Sequence, residues 1–380
     1  MQTDKQKRIF EEIKGYFANK TTGLAESELP FPATVYFDPD HMAREKRLMD
    51  KYPVIVGHSS QLKEAGDFLS HDLLGVPIMV VRQKDGSVLA FLNICSHRGA
   101  RLCTENTGNA RRFVCPYHAW TYNLDGRLRG VPKSGFPNYE KSKGNLTPLQ
   151  VEERHGMIWV QVDPASHIDV AAHLGEIDDE IASYGITDCE VHSIKVLDAN
   201  INWKSVLDGF LEPYHFATLH ADSIAPYFHG THSPFEGFDI NSRMIGVRKS
   251  FDDILETPFE EVELLKHLAV NYQIFPNTIL VWQGDHFESW TAFPSTTPDK
   301  CKVLFQMLIP KVAYTEKTMA RWERNWKVIV DTVFDEDWAM SQQVQGNLPH
   351  IPNETVIFGA NEPALQHFHV KMKNLIEKMN

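Results

Sequence analysis

Hydrophobic residues recur at helical spacing over 4–18, where Ile9, Phe10, Ile13 and Phe17 share one face and predict an amphipathic helix. "FPATVYFDPD" reads as an extended entry, and "MAREKRLMDKYP" as a short helix stopped by Pro53. From residue 53 the texture changes. "PVIVGHSS", "PIMVVRQKDGSVLAFLNIC" and "HGMIWVQVDP" are rich in β-branched and aromatic residues and bounded by turn signals, which predicts strands. "KDG" at 84–86 and "LDG" at 124–126 supply hairpin corners. Residues 50–165 therefore read as an all-β domain, and residues 1–49 as a helical segment packing on the last domain. Residues 166–190 are helical and connective. Helical patterning over 203–220 then gives way to strands in "LAVNYQIFPNTILVWQG", "HFESWTAFPS" and "KVLFQMLIP". Two helices close the chain, "EKTMARWERNWKVIVDTVFDEDWAMSQQVQ" and "EPALQHFHVKMKNLIEKM". In the first of them Trp322, Trp326, Ile329, Val330 and Val333 form an apolar stripe. Strands covered by long helices make 166–380 an α+β domain.

Composition narrows the class. A chain of 380 residues that is 42% hydrophobic and 23% charged has the make-up of a globular protein with more than one core. A net charge of −12 argues against nucleic-acid binding, which needs a basic face. No segment approaches the ~18 apolar residues of a membrane span. The charged start, "MQTDKQKRIFEEIKGYF", lacks the apolar core of a secretion signal, so the expected compartment is the cytoplasm. Five Cys in such a chain do not make a disulfide framework.

Two of those Cys sit in a pattern. In "CSHRGARLCTENTGNARRFVCPYHAWTY", Cys95 and His97 are followed by Cys115 and His118, a C-x-H…C-x₂-H spacing. Thiolates and imidazoles bind zinc or iron. Zinc fingers keep like ligands together, whereas alternating Cys-His pairs suit a [2Fe–2S] cluster with two Cys on one iron and two His on the other. The motif, with "RGARLC" and "CPYHAWTY", closely resembles the Rieske motif of the Rieske non-haem iron oxygenases. Cys103 reads as packing, and Ala119 stands where Gly is commoner.

The resemblance extends over about 50–350 and implies a second metal. "NWKSVLDGFLEPYHFATLH" resembles the family's H-x₄-H iron motif, which assigns His215 and His220 to a mononuclear Fe(II). Residues five apart on a straight α-helix point about 140° apart. Two ligands so spaced require the helix to end, widen or bend between them. The resemblance takes the third ligand from "VFDEDWAMSQQVQG" and aligns it with Asp337, with Asp335 and Glu336 as alternatives. It gives Glu212 the role of a bridge between the iron-ligand His215 and a Rieske His118 on a neighbouring subunit. Most members use Asp there; Glu points to the carnitine/choline monooxygenase-like branch. Asp208-Gly209 departs from the family's more usual Asn nearby.

The resemblance also implies a helix-grip (START-like) catalytic domain, in which a curved antiparallel sheet surrounds a long C-terminal helix, and a head-to-tail homotrimer. The implied activity is that of an oxygenase subunit, hydroxylating or oxidatively demethylating an aromatic compound or a quaternary amine with O₂. Its electrons come from NAD(P)H through a separate reductase, with a ferredoxin as an optional carrier. No G-x-G-x-x-G fingerprint occurs here, so the nicotinamide chemistry belongs to a partner. Tyr272, Phe275, Trp282, Phe287 and Trp290 read as core or as pocket wall, and His286 as structural or substrate-binding. His229 and His232 read as surface residues of a loop. Two other readings stay open: a Rieske electron carrier without catalytic iron, and a ligand-binding module with structural zinc.

Overall fold

In the computed structural model, which describes residues 1–132, 136–311 and 315–379, the alternating segments of 53–161 form an antiparallel seven-stranded sheet. Its spatial order is Val54–His58, Met157–Gln161, Pro148–Arg154, Val88–Leu92, Ile78–Arg82, Asp67–His71, Thr107–Asn109. Gly86, at φ 88°, makes the corner of one hairpin, where a side chain would be strained. A smaller sheet, Phe113–Val114, Thr121–Tyr122 and Leu128–Gly130, carries the second Cys-His loop. Phe68, Met79, Phe91, Phe113, Trp120 and Tyr122 are buried together with Cys95, Cys103 and Cys115 in one core. These strands belong to a unit spanning Met49–His173.

The other unit comprises Met1–Leu48 and Leu174–Asn380. Its sheet has seven antiparallel strands: β1 (Cys189–Ala199), β2 (Phe235–Phe238), β3 (Asn241–Val247), β4 (Leu268–Ile274), β5 (Thr278–Trp282), β6 (Phe287–Pro294) and β7 (Cys301–Pro310). They run in the order β1-β7-β6-β5-β4-β3-β2, a meander that the first strand joins at its far edge. The long helix Glu316–Thr332 lies against β7. Phe305 of that strand stacks between Trp290 and Trp326, with ring centroids 3.7 and 4.4 Å away. This is the α+β class expected, and the sheet is curled around its helix as in the helix-grip layout.

The N-terminal helix, Thr3–Asn19, buries Ile9, Phe10 and Ile13, and Phe10 meets Phe251 and Phe259. The next helix, Pro39–Met49, carries Glu45, which is wholly buried against the Lys204 ammonium at 2.7 Å. Glu45 also accepts from Trp203 Nε1 at 2.9 Å, and Lys204 donates to the Val35 carbonyl at 2.9 Å. Burial would raise the Glu45 carboxyl, but Lys204 and His41 outweigh it and hold the pKa below the ordinary value.

One element departs from its pattern. The helix expected over 203–220 is regular only at Trp203–Asp208, capped by the Asn202 side chain. Gly209 and Pro213 follow, and proline lacks the N–H that a continuing helix needs. The chain then runs through successive turns from His215 to Phe228.

Candidate metal centres

The two Cys-His loops are built alike. In the first, Gly99 N–H donates to the Cys95 carbonyl at 2.9 Å and Cys95 N–H to Ala100 at 2.8 Å. In the second, Ala119 N–H donates to Cys115 at 2.9 Å and Cys115 N–H to Trp120 at 2.8 Å. Both turns need a left-handed residue, Gly99 at φ 76° and Ala119 at φ 56°. That is why glycine is the expected occupant of position 119.

These turns present the imidazoles together, with Nδ1 of His97 and Nδ1 of His118 3.1 Å apart. His97 stacks flat on Trp120, at 4.9 Å between centroids. Cys95 and Cys115 lie buried in the same core. Burial raises the Cys95 pKa, and the Tyr122 hydroxyl, 3.2 Å from Sγ, opposes that rise. Two thiols buried in one core and an imidazole pair at its edge, not gathered on one point, fit the two ends of a two-iron cluster. A single zinc would gather all four. Cys103 packs on Met79, and burial pushes its thiol up to about 12, far from the thiolate a ligand requires.

Among the described residues, convergence of three donors on one point occurs at His215, His220 and Asp337, whose ligand atoms lie within 4.8 Å of one another. Asp337 Oδ1 stands 3.0 Å from His220 Nε2 and 3.6 Å from His215 Nε2. Leaving the helix solves the five-residue spacing: the turns bring the two rings to 4.9 Å between centroids. The acid comes from a π-helical turn, Val333–Trp338, set between Glu316–Thr332 and Ala339–Asn347. The three neighbouring acids part company there. Asp335 is exposed, Glu336 accepts from His220 Nδ1 at 2.7 Å and from Ser223 at 2.8 Å, and Asp337 faces both imidazoles. Burial opposes the protonated form of His220, yet Asp337 and Glu336 raise its pKa. On the other ligand, Glu212 hydrogen-bonds Nδ1 of His215 and accepts its backbone N–H at 3.1 Å. Two imidazoles and one carboxylate, each His held at Nδ1 by an acid, suit an Fe(II) facial triad with open positions.

Residues 186–378 match the model of the ring hydroxylating alpha subunit (catalytic domain), and residues 52–140 match that of the Rieske [2Fe-2S] domain. The chain belongs to the ring-hydroxylating α-subunit family. This α subunit is 32% identical over 218 residues to the carnitine monooxygenase oxygenase subunit of Escherichia coli (strain K12), covering 53% of the chain and 56% of that protein. It is 33% identical over 193 residues to the glycine betaine monooxygenase oxygenase subunit of Chromohalobacter salexigens, covering 50% and 43%. The matches thus span about half the length of these curated relatives. The fold is shared with a quaternary ammonium Rieske monooxygenase crystallised with L-carnitine, at TM-score 0.74 and 21% identity over 94% of this chain and 97% of that one. It is shared also with naphthalene 1,2-dioxygenase bound to indole, at TM-score 0.73 and 17% identity over 92% of each.

Beside His215, His220 and Asp337 the α subunit has a cavity of about 120 Å³. Most of its sheet wall is one cross-strand row, with the Gly246–Ala269 pair beside it. Met244 pairs with Asn271, Asn271 with Val281, and Val281 with Glu288, in four consecutive strands. Phe210, Phe216 and Phe228 supply the aromatic part of the lining. The aromatics proposed from sequence, Tyr272, Phe275, Phe287 and Trp290, are core, and Trp282 lies outside this lining. Glu288 is the notable omission. It is 2% exposed and shares its strand face with Trp290. The available signal was an acid alternating with aromatics inside an apolar strand. His286 is buried between Asp285 and Glu288, which together raise its pKa against the effect of burial. His229 and His232 are partly exposed in their loop and pack against Phe17.

Proposed function

We propose that this chain is the terminal oxygenase component of a multicomponent Rieske system, converting a C–H bond of a small organic substrate to C–OH. Cys95, His97, Cys115 and His118 hold the [2Fe–2S] cluster, and His215, His220 and Asp337 hold Fe(II). The cluster supplies single electrons, and the Fe(II) supplies the site at which O₂ is reduced. The observation that carries the reading is the convergence of two imidazoles and a carboxylate at the wall of a cavity.

The residues divide the remaining work. Glu336 and Glu212 fix the orientation of His220 and His215 by holding their Nδ1 positions. The phenylalanines exclude water from the substrate, and Glu288 gives the wall a negative charge suited to a quaternary amine. Relatives named for carnitine and glycine betaine support that substrate class, while others named for chlorobenzene and biphenyl keep an aromatic substrate as the second reading. Hydroxylation of an N-methyl group would release it as formaldehyde, with the second oxygen of O₂ leaving as water. Electrons enter from an NAD(P)H-dependent reductase, with a ferredoxin as an optional carrier. Among the described residues no helix is long and apolar enough to cross a membrane, and the proposed compartment is the cytoplasm. In a head-to-tail homotrimer Glu212 would link His215 to the partner subunit's His118.

Metal analysis tests the reading. About three irons per chain are expected; two would leave an electron carrier, and zinc in a colourless protein would leave a structural site. Single turnover of the reduced protein with O₂ and a quaternary amine should give a product with one added oxygen or one methyl lost. Glu212→Gln keeps the shape of the bridge and removes its charge. The reduced cluster should then reoxidise on the order of 10- to 100-fold more slowly after mixing with O₂ and substrate. Its absorption spectrum and iron content should not change. A rate within about twofold of the parent would remove Glu212 from the bridge.

A further inference from the structure

A second cavity, about 710 Å³, opens beyond the first and shares with it Ile224, Phe228, Gln283, Glu288 and Ile329. The two are therefore successive chambers along one wall. The outer chamber is cationic although the chain carries −12: Arg248, Lys266, Arg321 and Arg324 line it, against Asp285 and Glu288. Clefts lined by one sign of charge concentrate ligands of the other.

The four cations are not equivalent. Lys266 pairs with Glu263, and Arg321 with Asp285. Arg324 is exposed. Arg248 is half-buried, and among the described residues no carboxylate lies within the 4.0 Å of an ion pair. Its Nε donates to the Leu268 carbonyl at 3.4 Å, and its Nη2 donates to Gln283 at 2.8 and 3.1 Å. The guanidinium lies over Phe228, 4.7 Å from the ring centroid. Nη1 has no partner among the described residues. The group is thus oriented by three neighbours at the junction of the chambers, with one edge turned to neither backbone nor acid. Burial works against its charge and lowers its pKa, and Asp285 and Glu288 of the same chamber, neither within ion-pair distance, only partly offset that cost.

We propose that Arg248 receives a carboxylate of the substrate, so that this oxygenase acts on small organic acids or zwitterions whose other end enters the inner chamber. This rests on the oxygenase reading above and deepens it. A planar guanidinium held in place suits a carboxylate better than a lysine would, because it can donate two parallel hydrogen bonds.

The test uses the iron-loaded protein and two acid–ester pairs, 4-(trimethylammonio)butanoate and 4-phenylbutanoate, each with its methyl ester. Calorimetric titration of the parent should favour at least one acid over its ester by about 10- to 100-fold, the range for hydrogen bonds to a charged group. Arg248→Met should bring that ratio to about one while leaving ester affinity unchanged. Arg248→Lys should fall between, and it carries the test if the Met variant does not fold. A merely structural Arg248 would weaken acid and ester alike. An unchanged ratio in both variants overturns the proposal, as does a parent with no preference for either acid, including one that binds none of the four probes. Iron content of the same samples keeps the two readings apart. Loss of the third iron in the parent refutes the oxygenase, whereas three irons with an Arg248-independent ratio refute only the carboxylate site.

Discussion

His220→Ala is expected to lower iron from three to two per chain and to reduce O₂-dependent product formation by at least about 10³-fold. The cluster spectrum should remain intact. His220 is 2% exposed and meets an acid at each ring nitrogen, Asp337 at Nε2 and Glu336 at Nδ1. Alanine removes one of three donors and leaves both acids facing each other across the gap. Neighbouring carboxylates without the imidazole would bind a harder cation loosely, not Fe(II) in the same geometry. Glu336→Gln is the informative contrast, since it spares the ligand and changes only its Nδ1 partner. Its iron affinity should fall about 10- to 100-fold, the usual weight of such a contact. Metal analysis of both variants after identical reconstitution is the measurement. Retention of the third iron by the alanine variant would refute the assignment of His220.

Glu45→Gln is expected to destabilise the unit containing Lys204 by about 3–5 kcal/mol, because it leaves a buried ammonium without its counter-charge. Glu45 and Lys204 are 0% and 1% exposed, so solvent cannot take the carboxylate's place. Neither residue touches the cavities described above, and the loss should appear in urea unfolding before it appears in turnover. The native carboxyl is held below its ordinary value of 4.5. Its contribution is therefore complete above that pH and is lost as the pH falls through the lowered native value. The difference between parent and Gln variant should shrink correspondingly in acid. A gap that persists unchanged to low pH would mean that the pair contributes through shape and not through charge.

Some of this chemistry was legible before any fold was known. Cys95, His97, Cys115 and His118 could be read because each loop is a short local structure. Its turn fixes two candidate ligands within four residues, so their types and spacing suffice to propose them. The same holds for Glu212 and His215, three apart. The requirement that the helix end between His215 and His220 also followed from helical geometry alone.

Other features depend on contacts between distant segments. Asp335, Glu336 and Asp337 are equivalent as a string of acids. A π-helical turn, held by the packing of its flanking helices, turns one to solvent, one to the back of His220 and one to both imidazoles. The cavity wall is similarly nonlocal. Met244, Asn271, Val281 and Glu288 meet only because strand register aligns them, and one residue of slippage would turn each side chain to the opposite face. The same patterning makes Tyr272 and Trp290 apolar strand residues whether they face core or cavity. The sequence by itself determined the fold class and the family and singled out the paired Cys-His loops, because these rest on local spacing and periodicity. Only the tertiary structure decided which acid faces the imidazoles, which residues line the chambers and where Arg248 points, because each depends on register and packing between segments far apart in the chain.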